Sequence, residues 1–408
     1  MRKFLLFCVI LFCAAIIFAV FKPAENKKTV IKFSSWGSQS ETALIIPLIE
    51  EFEKQNPDIK IEFIHIPQNY FQKLHLLFAS NLAPDVVFLN NYYALKYIKA
   101  GLLQDLTPYI NKDEYFEKSL AGFMYDGKIY AVPRDVSNLV VYYNKDLFKK
   151  YNVNLPSKNW TMQEYITIAE KFVQHGIKGT SFETDTIFLL PYLFSNGGAI
   201  LSDDGKKILI GEADSLNAID FYADMANKYH IAPKKSESAG MTMAQMFLQQ
   251  KLAMCVSGRW LVPKYRKDAE FDWDIAPFPK GSKGSVVNID SSGYALTKSC
   301  ANPKEALKFI EFISSKNSLD ILVQSGLIVP ARKDSAYSQK FLDITQRPKN
   351  AVAFIDSIET GKPTPVNLNY QKITDKINKA LEPVFLGKEK ACSVINDRLL
   401  IDISRYAY

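Results

Sequence analysis

Apolar positions recur along the chain at two spacings, every second residue and every three to four, and the switches between them mark out strands and helices. Residues 29–33 alternate apolar and polar, as a half-buried strand does, and the pattern stops at Ser34-Ser35-Trp36-Gly37. Leu44, Ile45, Leu48, Ile49 and Phe52 then fall at helical spacing within 41–55, and Asn56-Pro57 ends that helix. The same reading predicts a strand over 59–66, a helix over 70–79, a buried strand over 85–89 and a short helix over 93–100 closed by Gly101. Strand, helix, strand, helix, strand implies a parallel sheet with right-handed crossovers. Ligands of such open sheets sit beyond the carboxyl ends of the strands, which makes Ser35-Trp36-Gly37 and Asn90-Asn91-Tyr92 the first site candidates.

Beyond Lys128, strands over 129–133 and 139–143 flank the polar stretch Arg134-Asp135-Val136-Ser137-Asn138, where a crossing between two lobes fits. Helices are predicted over 161–175, 186–194 and 215–229, the first opened by Thr161 with Glu164 three residues on, a capping box. Strand character returns over 252–256, 273–276 and 293–296, and helices over 303–314, 369–385 and 390–404 close the chain. No internal repeat or low-complexity segment interrupts this order.

The amino terminus has a different pattern. Arg2-Lys3 precedes an apolar run over 4–21 with no charge in it, followed by a polar linker over 22–28. At 1.5 Å per residue the run reaches ~27 Å, close to a hydrocarbon core of ~30 Å. It reads as a secretory signal or a membrane anchor. Ala19-Val20-Phe21 makes a poor cleavage site, and Cys8 and Cys13 each follow a phenylalanine, which disfavours lipoprotein processing. An exported chain is expected, periplasmic or on the extracytoplasmic face of the cytoplasmic membrane, anchored by 4–21 if that run is retained.

Composition narrows the chemistry. With 408 residues, 48% of them hydrophobic, the chain holds two or three ordinary domains. A net charge of +7, part of it from Arg2 and Lys3, is too mild for a nucleic-acid partner. The four histidines (His65, His75, His175 and His230) form no His-Glu-x-x-His pair, and the five cysteines form no Cys-x-x-Cys. Cys255, Cys300 and Cys392 read as small buried hydrophobes. No phosphate-cradling loop ending in Gly-Lys-Ser/Thr occurs; Gly281-Ser282-Lys283-Gly284 is a flexible turn. A glycoside hydrolase would need two carboxylates at a set separation, and no spacing singles out a pair among the 43 acids. No catalytic residue, metal site or cofactor is therefore expected.

Several short segments, in this order, resemble the extracellular solute-binding proteins of bacterial ABC importers, the group that includes maltose-binding and other sugar-binding proteins. They are Pro84-Asp85-Val86-Val87-Phe88 with Gly101-Leu102-Leu103-Gln104-Asp105-Leu106-Thr107; Tyr130-Ala131-Val132-Pro133 leading to Tyr142-Tyr143-Asn144-Lys145-Asp146-Leu147-Phe148; Trp160-Thr161; Ala253-Met254-Cys255-Val256-Ser257-Gly258-Arg259-Trp260; Gly293-Tyr294-Ala295-Leu296; and Val329-Pro330-Ala331-Arg332. The resemblance implies an α/β, two-lobed periplasmic-binding-protein-like fold of type II, each lobe a mostly parallel sheet flanked by helices, with solute held in the cleft between lobes. One lobe would comprise 29–135 and 286–335, the other 136–285 and 336–408.

The resemblance also places ligand contacts at Trp36, Asn90, Asn91, Tyr92, Arg134, Asp135, Trp260, Ser291, Ser292 and Gly293, with Tyr70, Asn196, Arg259 and Arg332 as secondary candidates. Trp36 and Trp260 are the platforms on which the C–H face of a sugar ring would stack. Asn90 stands where the family often has an acid. The implied solute is a mono- or oligosaccharide, and the implied partners are permease subunits with a separate ATPase, served by a monomer. An anionic polyol such as glycerol phosphate, engaging Arg134, Arg259 or Arg332, is the alternative. Polyamines would want more carboxylates than Asp135 and Asp290 provide.

Overall fold

The computed structural model describes residues 28–407, so the expectations for the apolar run over 4–21 lie outside the described residues. Twelve strands follow in chain order: β1 (Thr29–Ser35), β2 (Ile59–His65), β3 (Val86–Asn90), β4 (Met124–Tyr125), β5 (Lys128–Ile129), β6 (Val132–Ser137), β7 (Val140–Asn144), β8 (Met254–Ser257), β9 (Trp273–Ala276), β10 (Asn288–Leu296), β11 (Val329–Pro330) and β12 (Lys362–Pro363). The first lobe is built on a sheet of order β11-β6-β10-β3-β1-β2, with β12 beside β10; β7, between β8 and β9, forms the sheet of the second lobe.

The parallel, right-handed start is present: β1 pairs in parallel with β2 and with β3. Side chains of β3 alternate between two cores, Val86 and Phe88 facing one and Val87 and Leu89 the other, as the two-residue period requires of a strand covered on both faces. The helix Gln39–Gln55 buries Ile45, Leu48, Ile49 and Phe52 and is capped by the Ser38 hydroxyl, which accepts from the Glu41 amide.

Elsewhere the sheets are less parallel than expected. β10 runs antiparallel to both β3 and β6, and β7 is antiparallel to β8 and β9. Long helical excursions separate these strands, and such a connection can return a strand in either direction. The passage from the first sheet to the second falls at the carboxyl end of the polar stretch 134–138, between Ser137 and Val140, and not at Arg134-Asp135. β6 runs through it to Ser137, pairing on one side with β10 and on the other with β11, and the chain leaves the sheet at Asn138, whose side-chain amide donates to Phe354 O at 2.7 Å. The segment expected as one helix over 390–404 is two, Ala391–Val394 and Asp397–Ser404, because Asn396 turns its side chain to cap the Leu399 amide. Helices Lys316–Gln324 and Val352–Thr360 are further elements that the pattern reading did not include.

The two lobes are also fastened by one ammonium. Lys118 Nζ, on the short helix Glu117–Ala121, donates to Ile358 O at 3.0 Å, Glu359 O at 2.5 Å and Gly361 O at 2.8 Å, at the carboxyl end of the helix Val352–Thr360 that packs on β7. It satisfies carbonyls left without intrahelical partners and complements the helix dipole. Lys118→Met is expected to lower stability by ~2 kcal/mol, measured by urea denaturation, because each partly buried carbonyl then loses its donor.

Candidate functional site

The wall contributed by the first lobe starts at the end of β1. Gly37 has φ near +130°, and a Cβ there would stand 2.6 Å from a Glu41 carboxylate oxygen, so glycine allows Glu41 to fold inward. The Glu41 carboxylate accepts from Arg134 Nη1 at 2.7 Å, while Arg134 Nε donates to Asp135 at 2.5 Å. The guanidinium also lies over the Phe88 ring, 4.1 Å from its centroid. All three charged groups are buried. Burial opposes the guanidinium charge, but Asp135 and Glu41 outweigh it and hold Arg134 above its ordinary value. One cation cannot neutralise two carboxylates, and burial raises Asp135 above the usual carboxylate range.

Trp36 packs half-buried on this base, its ring 4.2 Å from Phe88, 5.2 Å from Tyr70 and 5.4 Å from Phe71. The Tyr70 hydroxyl is tied to Ser34 Oγ at 2.9 Å, and burial raises its ionisation well above normal. Trp36, Tyr70, Arg134 and Asp135 are thus brought together, with Glu41, Phe71 and Phe88 as neighbours the sequence did not reveal.

The next loop supplies the polar part. Asn90 spends its side chain capping the helix Asn91–Lys99, accepting from the Tyr93 amide at 3.3 Å. Asn91 is buried, donates to Asp290 Oδ1 at 3.0 Å and accepts from the Ser291 amide at 3.2 Å. Ser291 Oγ donates to Ser119 O at 2.8 Å, Ser292 lies opposite Asn90 and Asp135, and a bulge between Ser292 and Gly293 shifts the register against β6. Tyr92 stacks on Tyr370, ring centroids 5.4 Å apart and 13° from parallel. Burial, then the Asp290 charge, raise both phenols well above normal. Around Asp290, Asn288 Oδ1, Thr364 Oγ1 and Tyr370 Oη are buried without a hydrogen-bond partner among the described residues. Buried polar atoms are rarely left unpaired, so this crevice is built to receive hydrogen-bonding groups.

From the second lobe comes the turn after β8. The Trp260 ring folds back over Gly258, where any Cβ would collide with the indole, yet the residue remains 39% exposed. Arg259 points inward, its guanidinium 4.1 Å from the Phe341 ring centroid, with Nε and Nη1 unpartnered among the described residues; burial presses its pKa down to about 9. The second lobe also holds a cavity of about 850 Å³, lined by residues that include Phe182, Glu183, Asp185, Met241 and Asn378.

Two secondary candidates fall elsewhere. Arg332 is held by Glu114 at 2.8 Å and Asp334 at 2.9 Å, beside a separate hollow of about 270 Å³ on the first lobe. Asn196 braces the turn at 281–284, its amide donating to Tyr192 O at 2.9 Å and its oxygen accepting from Ser282 N at 3.4 Å. No cluster of three or more His, Cys, Asp or Glu able to hold a metal ion occurs among the described residues. The assembled groups stack, donate and accept; they contain no activated nucleophile in the positions described.

Comparison with known proteins agrees with this geometry. The family model for bacterial extracellular solute-binding proteins matches residues 35–318. A Brucella abortus binding protein is 24% identical over 366 residues, 86% of this chain and 88% of its own. The Bacillus subtilis maltodextrin-binding protein MdxE is 26% identical over 332 residues, 77% of this chain and 76% of its own. Among solved structures, an ABC substrate-binding protein of Listeria monocytogenes in complex with cycloalternan has a TM-score of 0.84 at 27% identity, covering 93% of this chain and 98% of that one. With that match over most of its length, and a two-lobed fold shared with these solute receptors, the chain belongs to the bacterial extracellular solute-binding protein family.

Proposed function

We propose that this protein captures a carbohydrate between its lobes and delivers it to an ABC permease driven by a separate ATPase. The observation that carries the reading is the stacked pair Tyr92 and Tyr370 at a crevice of unpartnered oxygens on Asn288, Thr364 and Tyr370, with a second aromatic group, Trp36 on Phe88 and Tyr70, on the same lobe. A sugar ring offers one apolar face to the first and hydroxyl groups to the second. Two of the relatives named above, the maltodextrin-binding protein and the protein in complex with cycloalternan, support the same class. We assign 29–135 with 286–335 to one lobe and 136–285 with 336–408 to the other, except that the end of β6 (to Ser137) and β12 stay with the first lobe's sheet, the whole acting as an exported monomer without catalytic turnover. Ligand closes the lobes by binding the closed form more tightly than the open one.

An anionic polyol is the weaker reading, because two of its three arginines are occupied: Arg134 by Glu41 and Asp135, Arg332 by Glu114 and Asp334. Thermal unfolding against mono- and oligosaccharides, polyol phosphates and polyamines separates these classes. At 100-fold Kd a true ligand adds ~2.7 kcal/mol. Stabilisation by a sugar, with no product formed, is expected; stabilisation by a polyol phosphate alone would overturn the reading. Trp260→Ala should weaken sugar binding by about 1 kcal/mol by titration calorimetry and leave the melting temperature nearly unchanged, since the ring is partly exposed. Unaltered affinity would remove Trp260 from the site.

A further inference from the structure

Asn288, Asp290 and Thr364 share one face of the first lobe's sheet. Residues two apart on β10 point the same way, and the parallel register that sets Asn288 beside Lys362 and Ile289 beside Pro363 brings Thr364 to Asp290 one step on. The Thr364 amide, donating to Ile289 O at 3.2 Å, holds that register. Two amides meet the Asp290 carboxylate there: Asn91 Nδ2 donates to Oδ1 at 3.0 Å, and Asn288 Nδ2 to Oδ2 at 2.7 Å. The stacked rings of Tyr92 and Tyr370 flank the spot, with the Tyr92 hydroxyl approaching Asp290 and Thr364.

This crevice is closed and short of positive charge. Asn288, Thr364, Tyr370 and Asp290 are 0%, 2%, 4% and 5% exposed. Among the described residues no lysine or arginine pairs with Asp290, and cations on adjoining segments are engaged elsewhere: Lys362 by Asp203 at 2.5 Å, Lys118 by three carbonyls, Arg134 by Glu41 and Asp135. Asp185 adds a second negative charge that reaches Tyr370. The amides bonded to Asp290 are neutral, so its charge is buried without a counter-charge, a costly state unless a ligand supplies one.

The unused groups are oxygens. A carboxylate offers about four lone-pair sites, and the two amides leave the others free; Asn288 Oδ1, Thr364 Oγ1 and Tyr370 Oη have no partner among the described residues. An ammonium group brings three donors, no acceptor and one positive charge, and so satisfies these oxygens and the carboxylate together. A sugar hydroxyl brings a single donor and leaves the charge uncompensated. One carboxylate among neutral oxygens suits a single positive charge better than a divalent or transition metal.

We propose that this crevice binds the protonated amine of an amino sugar. The inference rests on the carbohydrate reading above and names its solute: a sugar with a free amino group, not a neutral or N-acetylated one. The ammonium donates to Asp290, to Asn288 Oδ1 and to the hydroxyl oxygen of Thr364 or Tyr370. Tyr92 belongs to the first lobe and Tyr370 to a helix packed on the helices Thr186–Ser195 and Ala213–Asn227 of the second, so parting the lobes separates the stack and admits the solute.

The test is calorimetric titration of the full chain with matched sets, each hexose beside its amino-deoxy and N-acetylamino forms, as monosaccharides and disaccharides of the gluco, galacto and manno series, at a pH where the amine is protonated. In the series that binds, the free amine should bind about tenfold or more tightly than the other two forms. Asp290→Asn, which keeps the shape, should bring the amine and hexose Kd values within about twofold of each other. The wild-type ratio decides by itself where that variant does not fold. Equal or weaker binding of the amine in every series, or a preference that survives Asp290→Asn, overturns the proposal and leaves the carbohydrate reading standing. So does stabilisation by sodium or potassium chloride over choline chloride in a protein without amine preference, which would give the charge to a free alkali ion. Binding of linear polyamines or of a polyol phosphate, with no sugar bound, overturns both.

Discussion

Arg134→Met is expected to destabilise the first lobe by ~3–5 kcal/mol, the largest effect of any single substitution considered. The side chain is of similar length, so the loss is electrical. Glu41 and Asp135, now sharing one guanidinium at 2.7 Å and 2.5 Å, would be left buried together without a cation. Two signatures distinguish this from lost packing. First, the triple variant Arg134→Met, Glu41→Gln, Asp135→Asn should recover most of the loss, since replacing a whole buried ionic group with neutral residues is far milder than breaking it. Second, the deficit of the single variant should shrink as pH falls. A carboxyl held above its ordinary value binds its proton more tightly folded than unfolded, so the native state gains stability as pH drops through that raised value. Urea denaturation at pH ~7 and pH ~4.5 measures both. A deficit that is equal at the two pH values, or that the triple variant does not recover, would sink the account.

Gly293→Ala ranks second, with an expected loss of ~3 kcal/mol or more and a large insoluble fraction on expression. A Cβ at this position would strike the Val132 carbonyl and stand 3.0 Å from Pro133 Cα, both backbone atoms of the neighbouring strand that cannot swing away. The collision falls at the bulge where β10 changes register against β6. Bulges re-aim side chains beside binding sites, and here the bulge places Ser292 opposite Asn90 and Asp135. Yield and melting temperature are compared with Gly284→Ala, where the added atoms meet open space and only the positive φ of 97° costs stability, so that a clearly larger loss at Gly293 is steric. Similar behaviour of the two variants would mean that the sheet yields at the bulge.

Much of the fold was legible because its signals are local. The capping box at Thr161 and Glu164 forms as expected, and the alternation of 29–33 does belong to the strand that leads the sheet. Arg134 and Asp135 misled for a physical reason. Adjacent opposite charges in a polar stretch look like a solvated hinge, and what buries them is Glu41, 93 positions away, together with strands β10 and β11. Tyr370 and Thr364 were invisible for the same reason: each earns its place only through partners brought from distant segments. The order of short motifs revealed the family, whereas no periodicity could reveal a cavity assembled from 182–185, 233–243 and 378–386.

The position of β10 also bears on how the chain becomes a protein. It lies between β3 and β6, so the first lobe's sheet is in two unjoined pieces until residues 288–296 exist. Asn91 and Asp290, bonded in the finished molecule, are 199 positions apart. Contacts that close loops of this size make folding slow. The keystone strand is thus made late, after the second lobe's long segment from β7 to β9. For a member of an extracellular family, an unfinished central sheet is an advantage, because a polypeptide that cannot yet fold remains threadable through a narrow pore.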